Sequence, residues 1–302
     1  MRVRYLHLDV FTDRPFEGNQ LAVFPDSAGL STEDMQRITH EMNLSECTFV
    51  LPAEVSGTDV RMRIFTPGEE LPMAGHPTIG STFALAAESA IASGRTGFVF
   101  GLGIGPTPVS LEWHGSDLDF VWMTQSRPTF GGRIDDRAGF AQAIGVAPAD
   151  LLANAPIEIV SCGVPFLLAP LTLASSVDRV AIDRRQYAAC CKAAGVDERP
   201  LFTFALVPGA SGGESVYSRM LAPGLGIGED PATGSASGPL GCYLAAHNLL
   251  GVDRLSHFIS LQGVAMRRPS RIHVSIGVEA DAVTSVRVGG RSVLVGGGVL
   301  EW

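Results

Sequence analysis

One stretch of this 302-residue chain constrains its fold more than any other. Gly228-Glu229-Asp230-Pro231-Ala232-Thr233-Gly234-Ser235-Ala236-Ser237 is a polar, glycine-bearing turn that runs into an apolar helical pattern through Leu240, Leu244, Ala245, Leu249 and Leu250. The start of a helix presents unpaired backbone N–H groups and a partial positive charge, so a turn of this kind is a natural seat for a carboxylate or phosphate. The same design occurs earlier, in Glu70-Leu71-Pro72-Met73-Ala74-Gly75-His76-Pro77-Thr78-Ile79-Gly80-Ser81, followed by Phe83, Leu85 and Ala86. Two small-residue helix starts, one in each half, predict two related halves meeting at one site.

Around these helices the pattern is one of short strands. Alternation predicts strands over 3–11, 21–24, 47–51, 60–65, 97–100, 108–113 and 117–124 in the first half. In the second half it predicts 157–160, 166–171, 202–207, 216–220, 257–262, 271–276, 283–288 and 291–295. Gly18-Asn19 reads as a turn, 126–132 as a linker, and Gly289-Gly290 as a hairpin turn. Ser31 and Asp34 resemble a capping box for a helix that turns Met35, Ile38 and Met42 inward and ends near Asn43. A helix is expected over 135–144 and an amphipathic helix over 184–194. Ile79, Phe83, Ala86, Ala87 and Ile91 describe a helix buried nearly all round, and the second such helix is expected to end near Asn248 with Gly251 as its stop. Ordinary α+β domains whose helices cover a sheet face would give a similar pattern, but the polar residues at both helix starts argue for more than packing.

Several function classes are excluded. A net charge of −9 offers nothing to neutralise phosphates in quantity, so no nucleic-acid partner is expected. Lys192 is the chain's single lysine and follows Cys190-Cys191 in a helix, which disfavours Schiff-base chemistry. The first residues lack an apolar leader core and no run approaches the ~18–20 apolar residues of a membrane span, so a soluble, cytoplasmic protein with no membrane partner is expected. Five cysteines without a C-x-x-C favour free thiols, and seven histidines without H-x-x-x-H spacing indicate no metal site. The glycine runs at Gly101-Leu102-Gly103-Ile104-Gly105 and Gly224-Leu225-Gly226-Ile227-Gly228 lack dinucleotide-binding spacing, and there is neither a P-loop nor a G-x-S-x-G elbow.

Three residues stand where chemistry is possible. Glu46, at a helix-to-strand handover with Leu44 and Phe49 nearby, is either a desolvated acid/base or a surface carboxylate at a helix end. His76 before Pro77 is either a structural helix cap or a neutral hydrogen-bonding imidazole beside a positive helix end. Asp230 before Pro231 is either a helix N-cap or a carboxylate pointing into a cleft. Pro239 favours the second, because it places the helix start near Gly234 or Ser235, with the proline at the edge of the first turn. In that case the amides around Gly234-Ser235-Ala236 are available to an anion.

These residues resemble those of the PhzF family of phenazine-biosynthesis isomerase-like proteins. The resemblance covers essentially the whole chain. It runs through Asp9-Val10-Phe11-Thr12, Gly18-Asn19, Asn43-Leu44-Ser45-Glu46-Cys47-Thr48-Phe49, the 70–78 turn, Gly163-Val164-Pro165, the 229–236 turn, and Gln262-Gly263 with Arg268-Pro269-Ser270. It implies a diaminopimelate-epimerase-like α+β fold: two similar domains, each a β-barrel-like sheet wrapped around a central α-helix. The domains would comprise 1–127 plus 286–302, and 128–285.

The family's acid/base glutamate maps onto Glu46, and its other active-site residues onto His76, Asp230 and Ser235. Ser45, Gly75, Gly234 and Ala236 would help bind a small carboxylate-bearing substrate. The resemblance further implies no cofactor, no metal and a homodimer. The phenazine enzyme shifts a proton and a double bond on a dihydro-hydroxyanthranilate. This chain departs from the pattern at Gln20, which replaces a proline, at Pro239, and at Arg267, which replaces a common glycine. A rival on the same fold is a two-thiol racemase or epimerase, whose cysteines would fall near Ala74 and Pro231. Another is a non-catalytic relative that binds a small acid or a protein.

Overall fold

The computed structural model describes residues 1–207, 213–225, 227–280 and 282–302. Gly226, in the second glycine run, lies outside them. The chain divides into two compact units, Met1–Thr124 with Gly289–Trp302, and Gln125–Val288.

In the first unit, β1 (Arg2–Val10) pairs antiparallel with β2 (Asn19–Phe24). Helix α1 (Thr32–Met42) opens with the Ser31–Asp34 capping box, closes at Asn43 with φ 50°, and leads to β3 (Glu46–Pro52), parallel to β2. β4 (Val60–Phe65) returns antiparallel to β3, and the short β5 (Glu70–Leu71) folds back on β4. Helix α2 (Gly75–Ala87) then carries the chain to β6 (Gly97–Leu102), parallel to β4. β7 (Gly105–His114) and β8 (Asp117–Thr124) complete the meander, and the C-terminal strand Ser292–Glu301 pairs with β1.

Helix α2 touches β1, β2, β3, β8 and the C-terminal strand, which lie at both ends of this strand order, so the sheet curls around it. The bidentate pair of Arg291 and Asp119, at 2.8 and 2.9 Å, ties the start of the last strand to β8. A helix so enclosed must be narrow and polar-satisfied. A Cβ on Gly80 would come within 2.6 Å of the Leu21 and Val10 side chains. The buried hydroxyls of Thr78 and Thr82 each donate to the carbonyl four residues back, at 2.8 Å.

The second unit adds β9 (Thr129–Ile134), α3 (Arg137–Ala143) and β10 (Ile157–Ser161), then repeats the first unit's plan. β11 (Pro165–Pro170) is antiparallel to β10. Helices α4 (Ala174–Asp178) and α5 (Arg184–Ala193) lead to β12 (Leu201–Leu206), parallel to β11. β13 (Glu214–Ala222) is antiparallel to β12, and β14 (Ile227–Asp230) folds back on it. Helix α6 (Gly234–Ala246) and the short α7 (Val252–Leu255) then lead to β15 (Phe258–Gln262), parallel to β13. β16 (Ser270–Glu279) and β17 (Ala282–Gly290) follow, with β16 antiparallel to β15. Helix α6 touches β10 and β11 near one end of the order and β16 at the other, so it too is wrapped. Leu240, Cys242, Tyr243 and Leu244 are fully buried on it, each apolar side chain of that size contributing about 1.5–3 kcal/mol. The class is α+β, with one enclosed helix in each barrel-like sheet.

Four local expectations are corrected. Asn19 is a strand residue paired with Val10, and the connection is made by residues 11–18, where Phe11, Phe16 and Gly18 are left-handed at φ 66°, 72° and 68°. The expected linker over 126–132 includes strand β9. Its glycines allow close passage, since a Cβ on Gly131 would lie 3.1 Å from Ile159 and one on Gly132 2.4 Å from Val196. Gly289-Gly290 is the end of β17, not a hairpin turn, and a Cβ on Gly289 would lie 2.6 Å from the Val121 carbonyl. Pro239 lies inside α6, past its first turn, so the helix forgoes the N–H that would reach the Ser235 carbonyl. α2 stops at Ala87, short of Ile91, whereas α6 ends near Asn248 as expected: its last helical residue is Ala246 and Asn248 is left-handed at φ 51°. Gly251 is not its stop but opens α7.

Candidate active site

Glu46 is the first residue of β3, delivered there by the left-handed turn that ends α1. Its side chain is 16% exposed, and its Oε2 lies 3.4 Å from His76 Nε2. The surface-carboxylate alternative is thereby set aside. His76 is the second residue of α2 and is not a cap, because the N-cap position belongs to Ala74 and carries no side-chain hydrogen bond. Asn19 Nδ2 approaches the other imidazole nitrogen, Nδ1, at 3.3 Å. Burial pushes the His76 imidazole down to about 3, with the Gln20 backbone carbonyl working in the opposite direction. The ring is therefore neutral at pH 7, and its contact with Glu46 is a dipolar one. Cys47, the next residue, is fully buried, and burial pushes its thiol up to about 12, which removes it as a nucleophile.

In the second unit Asp230 ends β14 and is nearly buried, at 9% exposure. It is not the helix cap, since Thr233 holds that position. Thr233 Oγ1 instead donates to Asp230 Oδ2 at 2.5 Å. The fully buried Gln262 at the end of β15 spans the turn: its Nε2 donates to the Asp230 carbonyl at 2.7 Å and to Thr233 Oγ1 at 3.0 Å. Its Oε1 accepts from Thr233 N at 3.1 Å. Gln125 Nε2 donates to the Gly234 carbonyl at 2.9 Å, and a Cβ on Gly238 would collide with this glutamine. Ser235 is the second residue of α6 and is half-buried. Ala236 donates its N–H to the Thr233 carbonyl at 3.1 Å, so Gly234 and Ser235 are the helix-start amides outside the helix's own ladder.

The predicted site residues thus form one group in each unit. Gly75 and His76 open α2, with Glu46 beside them, while Gly234, Ser235 and Ala236 open α6, with Asp230 at the foot of the turn. Ser45 is exposed on the turn into β3. Sequence reasoning assigned no site role to Asn19, Thr233, Gln125 or Gln262. Asn19 and Gln262 do sit in motifs that carry the resemblance, and that was the available signal. Among the described residues no three His, Cys, Asp or Glu side chains gather as a metal site requires, and no helix is long and apolar enough to cross a membrane.

A family model, PhzC-PhzF, described as phenazine biosynthesis-like protein, matches residues 8–298. The chain belongs to the PhzC-PhzF family. The trans-2,3-dihydro-3-hydroxyanthranilate isomerase of Pseudomonas aeruginosa is 35% identical over 287 residues, covering 95% of each chain. The crystal structure of a PhzF family protein from Bacillus anthracis superposes with a TM-score of 0.86 at 26% identity, covering 100% of both chains. A hydroxyproline epimerase from Agrobacterium vitis matches with a TM-score of 0.65 at 12% identity, covering 99% of this chain and 92% of that one, a likeness of fold alone. The PhzC-PhzF member described here is therefore an isomerase of the PhzF type on the diaminopimelate-epimerase-like fold.

Proposed function

We propose that this isomerase moves a proton, and with it a double bond, on a small carboxylate-bearing substrate resembling the dihydro-hydroxyanthranilate of its Pseudomonas aeruginosa relative. Glu46 is the proton carrier. Its carboxylate takes the proton from one carbon, the double bond shifts, and the Glu46 carboxyl, in exchange with solvent, delivers a proton to another carbon of the same molecule. Such a step is redox-neutral and needs no cofactor.

The observation that carries this assignment is the pairing of a largely buried carboxylate with a neutral imidazole at 3.4 Å. A cationic histidine there would hold Glu46 as an ion pair and weaken it as a base, whereas a neutral one can pass or accept a hydrogen bond in either protonation state of Glu46. In the first unit the substrate-holding groups are His76, the Ser45 hydroxyl and the Gly75 helix-start amide. In the second unit that role falls to Asp230, the Ser235 hydroxyl and the helix-start amides of Gly234 and Ser235. The positions near Ala74 and Pro231, where a two-thiol epimerase would carry its cysteines, cannot supply a thiolate.

The test is turnover of trans-2,3-dihydro-3-hydroxyanthranilate in D2O by wild type and by Glu46→Gln. Wild type is expected to convert it with deuterium entering one face only, and Glu46→Gln to lose at least about 100-fold in rate. Full turnover by Glu46→Gln would remove Glu46 from its role, and racemisation at a single carbon would point to an epimerase.

A further inference from the structure

The turns that open the two central helices correspond residue by residue. Pro72 and Pro231 stand at equivalent points, followed by Ala74 and Thr233 at the N-caps, Gly75 and Gly234 at the first helical position, and His76 and Ser235 at the second. The strand after each helix ends alike, at Leu102 then Gly103 and at Gln262 then Gly263. Each of these glycines lies against the equivalent proline: a Cβ on Gly103 would be 2.8 Å from Pro72 Cα, and one on Gly263 2.5 Å from the Pro231 carbonyl. The backbone plan is the same, yet the three side chains that meet at it differ in kind. The second unit has Asp230, Thr233 and Gln262 where the first has Leu71, Ala74 and Leu102. The fold therefore builds this turn without polar side chains, and a purely architectural need does not account for the polar trio.

The directions of the hydrogen bonds in the trio are determined. The Asp230 carbonyl can only accept and the Thr233 N–H can only donate, so together they orient the Gln262 carboxamide, with Nε2 toward Asp230 and Oε1 toward Thr233 N. The second Nε2 proton then enters Thr233 Oγ1, and the threonine's own proton has to go to Asp230 Oδ2. All three residues are at most 9% exposed, so water competes weakly with this chain of donors.

We infer that Gln262 and Thr233 are positioning residues that commit Asp230 Oδ2 as a hydrogen-bond acceptor and thereby fix the orientation of the carboxylate and favour its charged form. Their action on the reaction rests on the role proposed above for Asp230, but the state of the carboxylate can be read without substrate. A hydrogen bond to the charged form favours that form, so removing the Thr233 hydroxyl raises the proton affinity of Asp230 by about tenfold, on the order of one pH unit.

The experiment follows the Asp230 carboxyl carbon by 13C NMR as pH is varied in full-length protein labelled at aspartate, with Asp230→Asn identifying the resonance. Thr233→Val removes the hydroxyl while keeping the shape, and Thr233→Ser restores it. The midpoint is expected to rise in Thr233→Val and in Gln262→Leu and to stay at the wild-type value in Thr233→Ser, with unchanged thermal melting. An unchanged midpoint in Thr233→Val overturns the inference. In the isomerase assay the same variant is expected to lose kcat about 10- to 100-fold with KM within about twofold, as for a group acting in the transition state. An inactive Asp230→Asn beside a fully active Thr233→Val would refute the positioning role while leaving the function standing. A fully active Asp230→Asn would refute the role of Asp230 itself.

Discussion

His76 Nε2 lies 3.4 Å from Glu46 Oε2 while the imidazole is held neutral by its burial. The consequence for stability has a definite sign. The imidazole's proton affinity is depressed to about 3 in the folded chain, whereas the unfolded chain binds that proton with the ordinary value near 6.5. Above that ordinary value neither state is protonated and the site contributes fully. As pH falls from there toward 3 the unfolded state takes up the proton first, and stability is lost. Wild type is expected to lose up to about 1.4 kcal/mol per pH unit more than His76→Asn between roughly pH 6 and pH 4. Urea unfolding of both proteins at several pH values measures the difference, and parallel curves would show that His76 is protonated in the fold.

The paired glycines behind the helix starts give a graded prediction. Gly263 has φ 76°, and a Cβ there would lie 2.4 Å from the Arg268 carbonyl and 2.5 Å from that of Pro231. Gly103 faces only the Pro72 contact at 2.8 Å and lacks the left-handed backbone. Gly263→Ala combines backbone strain with two backbone clashes and is expected to cost at least about 2–3 kcal/mol, and Gly103→Ala about 1–3 kcal/mol. Denaturant midpoints of the two variants rank them directly, and a Gly263→Ala protein as stable as wild type would contradict the packing described.

Much of this architecture was legible in the sequence, and for identifiable reasons. Small residues at the start of an apolar 3.6-residue period announced both enclosed helices, because only a narrow helix fits inside a sheet that wraps it. Glu46, His76, Asp230 and Ser235 came from motifs compact enough to read along the chain. The clamp from Gln262 to Asp230 spans 32 residues and the contact of Asn19 with His76 spans 57, and no local pattern encodes either. Gly289-Gly290 was misread for a related reason. A glycine pair signals a turn when judged by its neighbours, but here Gly289 serves a close pass against β8, which is distant in sequence.

Arg267 shows what one departure from the family pattern costs. It stands where the resemblance leads one to expect glycine, and its backbone is left-handed at φ 58°. The side chain is exposed. The left-handed region costs a non-glycine residue roughly 1–2 kcal/mol, partly offset by the greater freedom glycine has when unfolded, so Arg267→Gly is expected to stabilise by up to about 1 kcal/mol. A thermal melt detects this as a rise of a few degrees or less, and a fall in stability would mean that the arginine makes a contribution its exposure does not suggest.

Arg219 is the strongest tie on the Asp230 side. Its Nε and Nη2 hold Glu229, the neighbour of Asp230, at 2.9 and 2.8 Å. Its Nη1 reaches the carbonyls of Val177, Asp178 and Val180, each at 3.0 Å, at the end of α4. With both side chains at most 15% exposed, removing the guanidinium leaves a largely buried carboxylate and three carbonyls without their donor. Arg219→Ala is therefore expected to cost about 3–5 kcal/mol. Adding Glu229→Leu to Arg219→Met should recover part of that loss by removing the stranded charge, but not all of it, because the three carbonyls remain. Urea unfolding of the single and double variants tests this. Full recovery in the double variant would place the whole effect in the ion pair and none in the anchoring of α4.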